Sequence, residues 1–146
     1  MTIMDEKQDS FDNSIEKLTN WLKKKNFDLY FGAYEDIADH YDKTITIDSR
    51  KKKENQLYIL LHECGHIIVN NNKNFSNCFP YMIRTLEKKF KNKKMENCYK
   101  YRMEQIIEET DAWKAGKLLA KKLSIPISNE NFHNIMIKKL WTYVIN

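Results

Sequence analysis

Apolar positions recur along this chain at the spacing of buried helix faces, interrupted by one region with the texture of strands. Phe11, Ile15, Leu18 and Leu22, with Trp21 alongside, predict a helix that Ser10 can cap and that ends near Lys25-Asn26. The ten residues ahead of it read as a frayed, flexible tail. Phe27-Asp28-Leu29-Tyr30-Phe31, broken by Gly32, predicts a strand, and the β-branched Thr44-Ile45-Thr46-Ile47 predicts a stronger one, followed by the turn-like Asp48-Ser49. Together they predict a small antiparallel sheet.

A second helix should begin among Lys52 to Asn55 and fade in Asn70-Asn71-Asn72. The pattern then weakens from Lys73 to Asn97, where Phe79-Pro80 marks a turn and Met82, Leu86 and Phe90 suggest a short helix. That segment reads as an insertion near the functional site. A long helix follows from about Tyr99 to Leu123, stopped ahead of Pro126. Phe132, Met136, Leu140 and Val144 predict a last helix that packs back on the core. With no repeat and no clear linker, residues 1–146 read as a single α+β domain with the second helix at its centre.

That central helix carries the chemistry. Its apolar run, Tyr58-Ile59-Leu60-Leu61-His62-Glu63-Cys64-Gly65-His66-Ile67-Ile68-Val69, contains H-E-x-x-H. One helical turn separates His62 from His66, so both imidazoles can reach one metal ion. Glu63 lies a step further round, beside the place of a water that a general base would hold. Leu57, Leu61, Cys64 and Ile68 form the reverse face, expected to anchor the helix in the core. Gly65 permits a close approach by another backbone or a substrate. The motif is short enough to arise by accident on a surface helix, but imidazoles on so apolar a helix need partners, and a metal supplies them.

Composition narrows the setting. Charged residues make up 31% of the chain, no stretch has the length of a membrane span, and the start lacks the basic-then-apolar order of a signal peptide. Three cysteines without framework spacing fit a reducing compartment, so the expected location is cytoplasmic. Cys64 should face the core, and Cys78 and Cys98 are too far apart for a zinc knuckle. The net charge of +5 raises the question of nucleic acid. Its lysines fall in separate groups, Lys23 to Lys25, Arg50 to Lys53 and Lys88 to Lys94, interspersed with Asn and Glu, which fits a solvated face better.

A catalytic zinc needs a third protein ligand. His40, in a loop ahead of a strand, and His133, in the C-terminal apolar repeat, are the other histidines, and neither has the spacing of a third ligand. Glu108 and Glu109 are better placed. Glu109 shares a helix face with Ala112, Gly116, Leu119 and Leu123, whose small residues let that face lie close to another helix. Glu108 shares its face with Asp111, Ala115 and Lys122, a more solvated pattern. Periodicity therefore favours Glu109, with Glu108 the alternative and Asp111 placed to orient a histidine through its other ring nitrogen.

Two blocks, Leu60-Leu61-His62-Glu63-Cys64-Gly65-His66 and Glu108-Glu109-Thr110-Asp111-Ala112-Trp113-Lys114-Ala115-Gly116-Lys117-Leu118-Leu119, resemble the ImmA/IrrE family of small zinc metallopeptidases of bacteria and phages. The resemblance spans roughly residues 28 to 125. It departs at Trp113-Lys114-Ala115-Gly116, where the family has Phe-Ala-Ala, and in lacking a Pro directly after Leu118-Leu119. It implies a compact, thermolysin-like (zincin) core and Zn2+ held by His62, His66 and Glu109. Glu63 would be the base that activates water, and the substrate would be a peptide bond in a specific protein partner, for some members a repressor. The strand at Thr44 to Ile47 stands where the family has an edge strand, which could bind substrate by strand addition. Tyr81, Tyr99, Tyr101 and Arg102 are candidate oxyanion donors. The rival expectation is a catalytically inactive module of the same fold that docks a protein and keeps zinc only as structure.

Overall fold

Helix α1 (Ile3–Lys24) runs through the segment expected to be a tail, and Ser10 lies inside it instead of capping it. Its inward residues Ile15, Leu18 and Leu22 are buried, as their spacing requires. The helix ends where Asn26 takes a positive φ of 62° and Phe27 N–H reaches back to the Leu22 carbonyl at 3.0 Å. This is a Schellman closure, which satisfies end carbonyls and drives Phe27 into the core. The computed structural model describes residues 3–33, 35–71 and 98–145. The expected insertion at 73–97, with its short helix, Tyr81 and the Lys88 to Lys94 group, lies outside them.

Strands β1 (Asp28–Gly32), β2 (Ile37–Asp39) and β3 (Thr44–Asp48) form one sheet in the order β1-β3-β2. β2 pairs antiparallel with β3, but β1 pairs parallel with it, Asp28 opposite Thr44 and Gly32 opposite Asp48. The sheet is therefore mixed, and the expected antiparallel sheet is corrected. The missing piece is β2, a tripeptide too short to register as a strand in the sequence. A tight turn joins it to β3, with Asp39 Oδ1 accepting from the backbone N–H groups of Tyr41 (3.0 Å) and Asp42 (2.8 Å). The chain must cross over after β1 to lay β2 on the far side of β3, and that crossover makes β1 and β3 parallel. The strand expected at the edge, Thr44 to Ile47, is the central one, and the edges are β1 and β2.

Helix α2 (Lys53–Asn70) is buried at Gln56 to His62, Cys64, Gly65 and Ile67. Leu57, Leu61 and Cys64 face the core as expected, whereas Ile68 is 37% exposed and does not complete that face. Helix α3 (Tyr99–Lys122) crosses α2 with backbone against backbone. A Cβ at Gly65 would run into the Ala112 carbonyl, and one at Gly116 into that of Leu61. Only glycine permits this approach at both positions. Helix α4 (Asn129–Ile145) lays Phe132 edge-on against Tyr58 and Trp113, each with ring centroids 5.4 Å away. The result is an α+β fold of four helices and a three-stranded sheet among the described residues, none of whose helices is long and apolar enough to cross a membrane.

Candidate metal centre

The close crossing of α2 and α3 sets two histidines of one helix against two glutamates of the other. Glu109 Oε2 lies 2.8 Å from His62 Nε2 and 3.3 Å from His66 Nε2. One carboxylate oxygen thus meets the outer nitrogen of both rings. Glu108 Oε1 lies 2.6 Å from Nδ1 of His66, on the opposite side of the same imidazole. Glu63 Oε1 stands 3.5 Å from Nδ1 of His62. Glu108 and Glu109 are both buried, to 4% and 9% exposure.

Ring contacts lock the histidine planes. Trp113, one turn beyond Glu109, stacks on His62 with centroids 4.3 Å apart and planes 10° apart. The two histidine rings are 4.4 Å apart. His40, at the turn after β2, brings its ring edge-on to within 6.5 Å of His66 and 5.9 Å of Phe27. Tyr143 of α4 is near enough for its hydroxyl to feel the carboxylates of Glu109, Glu63 and Glu108.

The electrostatics follow from burying four carboxylate and imidazole groups together. Burial alone would lower the histidine pKa values, but the carboxylates override it. Hydrogen bonds to Glu109 and Glu63 raise His62, and those to Glu108 and Glu109 raise His66 to about 10. Burial also opposes ionisation of Glu109, yet the bonds from His62 and His66 hold its pKa down to about 2. Burial, with the nearby carboxylates of Glu109, Glu63 and Glu108, raises the Tyr143 hydroxyl. His40 is lowered, by burial and then by His66, against the pull of Glu63, Glu108 and Asp39.

Two overlapping sets, His62-Glu63-His66 and His66-Glu108-Glu109, could hold a metal ion. The donor chemistry fits. Two imidazole nitrogens and a carboxylate oxygen converge, while the Glu108 carboxylate holds the remaining nitrogen of His66, as the outer partners of metal-binding histidines do. No family model matches the chain, and neither a curated protein nor a solved structure matches it.

The structure differs from the sequence reading in several particulars. Glu108, expected on a solvated face, is buried on His66, and it takes the orienting place that the sequence assigned to Asp111, which stays partly exposed. A helix wheel measures directions from one axis and cannot see that the His66 ring, inserted between neighbouring residues, is reached by both. His133 is exposed on α4, away from this group. Tyr99 is 72% exposed. Tyr143 and His40 were not read as part of the site. The apolar repeat of α4 held a signal for Tyr143, since Phe132, Met136 and Tyr143 share a helix face. Cys64 is fully buried, and burial raises its thiol pKa, as befits a packing residue.

Proposed function

We propose that this chain is a zinc metallopeptidase of the ImmA/IrrE type, with a thermolysin-like core, that hydrolyses a peptide bond in a protein partner. The observation that carries this reading is the convergence of His62 Nε2, His66 Nε2 and Glu109 Oε2, with Glu63 of the same H-E-x-x-H beside them. His62, His66 and Glu109 would hold the metal, and Glu108 would fix His66 through Nδ1. Zinc suits a set of two nitrogens and one oxygen, and when bound it supplies Lewis-acid polarisation of the scissile carbonyl and of a water molecule.

The remaining work belongs to the chain. Glu63, partly buried and on the same turn as both histidines, accepts the proton as water adds to the carbonyl carbon. It returns that proton to the nitrogen as the C–N bond breaks. Tyr143 and His40 flank the centre, and either could donate to the negative charge that grows on the carbonyl oxygen. They join Tyr101 and Arg102, the partly buried candidates expected from sequence. The substrate backbone pairs with β2, which has no strand on its outer side among the described residues and leads directly into His40.

The test is metal content of purified wild type beside Glu108→Ala and Glu109→Ala, followed by cleavage of co-expressed partner candidates with Glu63→Gln as control. One zinc per chain, lost in Glu109→Ala, with cleavage abolished but zinc kept in Glu63→Gln, is the expected result. A wild type that takes up no zinc when supplied with it would end the reading.

A further inference from the structure

On the side of α3 turned away from the metal centre, Lys114, Lys117, Leu118 and Lys121 share one face with the loop residues Ile125 and Ile127. Their positions follow from how the helix ends. Ser124 takes a positive φ of 54°, and the Ile125 N–H returns to the Ala120 carbonyl at 2.8 Å while the Ser124 N–H meets that of Lys121 at 3.2 Å. This second Schellman closure turns the chain back along α3. Lys17 of α1 pins the turn by donating to the carbonyls of Leu123 (3.3 Å) and Ser124 (3.2 Å). Ile125 is thereby buried, and Asn129, the first residue of α4, closes the end. Between α3 and the returning loop lies a groove of about 630 Å³.

The groove combines two features that do not explain each other. Its floor is apolar, and Leu118 stands 68% exposed in it. Its rim is a row of exposed lysines at i, i+3 and i+7, about 10 Å long at the rise of a helix, and none of the three has an acidic partner among the described residues. Solvation alone would explain the lysines but not the exposed leucine and the recess beside it. A phosphate backbone would match the charge but not the floor, and a flat lipid surface cannot enter a recess bounded on one side by a pinned loop.

We propose that this groove docks an acidic amphipathic helix of a protein partner, its apolar stripe on Leu118, Ile125 and Ile127 and its carboxylates along Lys114, Lys117 and Lys121. Two to three turns of helix span the lysine row, and acids spaced three and four apart on the partner align with it. The charge pairs select the partner and its orientation, and the apolar contact holds it. The surface is separate from the metal centre and stands or falls independently of the peptidase reading.

The experiment uses the full chain and a fluorescein-labelled synthetic helix with Leu on one stripe and Glu at i, i+3 and i+7 beside it. Its control replaces each Glu by Lys. Anisotropy should show saturable binding of the acidic peptide, not of the basic one. Affinity should fall about tenfold or more in Lys114→Glu/Lys117→Glu/Lys121→Glu and weaken as salt is raised. Leu118→Asp should lose binding with the circular dichroism spectrum unchanged, since these side chains are exposed. No saturable binding, equal binding of both peptides, or binding untouched by the charge reversal would each overturn the proposal. So would uptake by vesicles of phosphatidylglycerol and phosphatidylcholine that the acidic peptide does not displace.

Discussion

Glu108 and His66 are joined across two helices by a contact of 2.6 Å at Nδ1, which leaves Nε2 of the same ring turned to Glu109. Two adjacent glutamates on one helix thus address the two nitrogens of a single imidazole. Their roles separate under substitution. Glu109→Ala should abolish stoichiometric zinc binding. Glu108→Ala should keep the site and weaken affinity by about 10–100-fold, the usual cost of losing an outer partner. A competition titration against a chromogenic chelator measures both, and equal losses would make the two carboxylates interchangeable.

The crossing at Gly65 and Gly116 should tolerate no side chain. A methyl group at either position meets main-chain carbonyl, which cannot swing aside, so α2 and α3 must separate. Gly65→Ala and Gly116→Ala should each cost about 3 kcal/mol or more, at the upper end for overpacking. Because the same crossing brings the histidines to the glutamates, zinc affinity should fall with stability. Thermal melts with and without zinc test this, and a variant of native stability would mean the helices are not in contact there.

The metal-free protein should show the charge network in its pH dependence. Glu109, depressed to about 2 from an ordinary 4.5, contributes stability that is complete above 4.5 and lost as pH falls through 2. His66, raised to about 10 from 6.5, contributes stability that is complete below 6.5 and lost as pH rises through 10. Both contributions are whole only between 4.5 and 6.5. The melting temperature of chelator-treated wild type minus that of Glu109→Gln should therefore be largest in that window. A difference that stays flat with pH would mean the pair carries no charge.

Tyr143 and His40 should separate chemistry from metal binding. Tyr143→Phe and His40→Ala are expected to retain zinc and, once a cleaved partner is in hand, to lower kcat by up to about 10²–10³-fold for whichever residue meets the oxyanion. The other should show a smaller effect, chiefly on KM. Single-turnover cleavage by zinc-loaded variants distinguishes them, and unchanged rates in both would move the oxyanion donor elsewhere.

Local periodicity carried the helices and the pair of strong strands, because a buried face repeats at a spacing set by backbone geometry alone. It also placed His62 and His66 on one face and singled out Glu109, whose neighbours Ala112 and Gly116 are small because another helix passes there. What periodicity could not supply was anything settled by partners distant in the chain. β2 is a strand only because β3 offers hydrogen bonds to three residues with no strong preference of their own, and its presence on the far side makes the sheet mixed and moves the edge away from Thr44 to Ile47. Glu108 looks solvated on the α3 wheel, and its burial is decided by the length and insertion of the His66 side chain. Tyr143 enters the site from α4, 34 residues beyond Glu109, because Phe132 wedges that helix against Tyr58 and Trp113. The sequence determined which side chains share a helix face, a property of a single segment; the meeting of those faces depended on packing among segments, which only the tertiary structure decides.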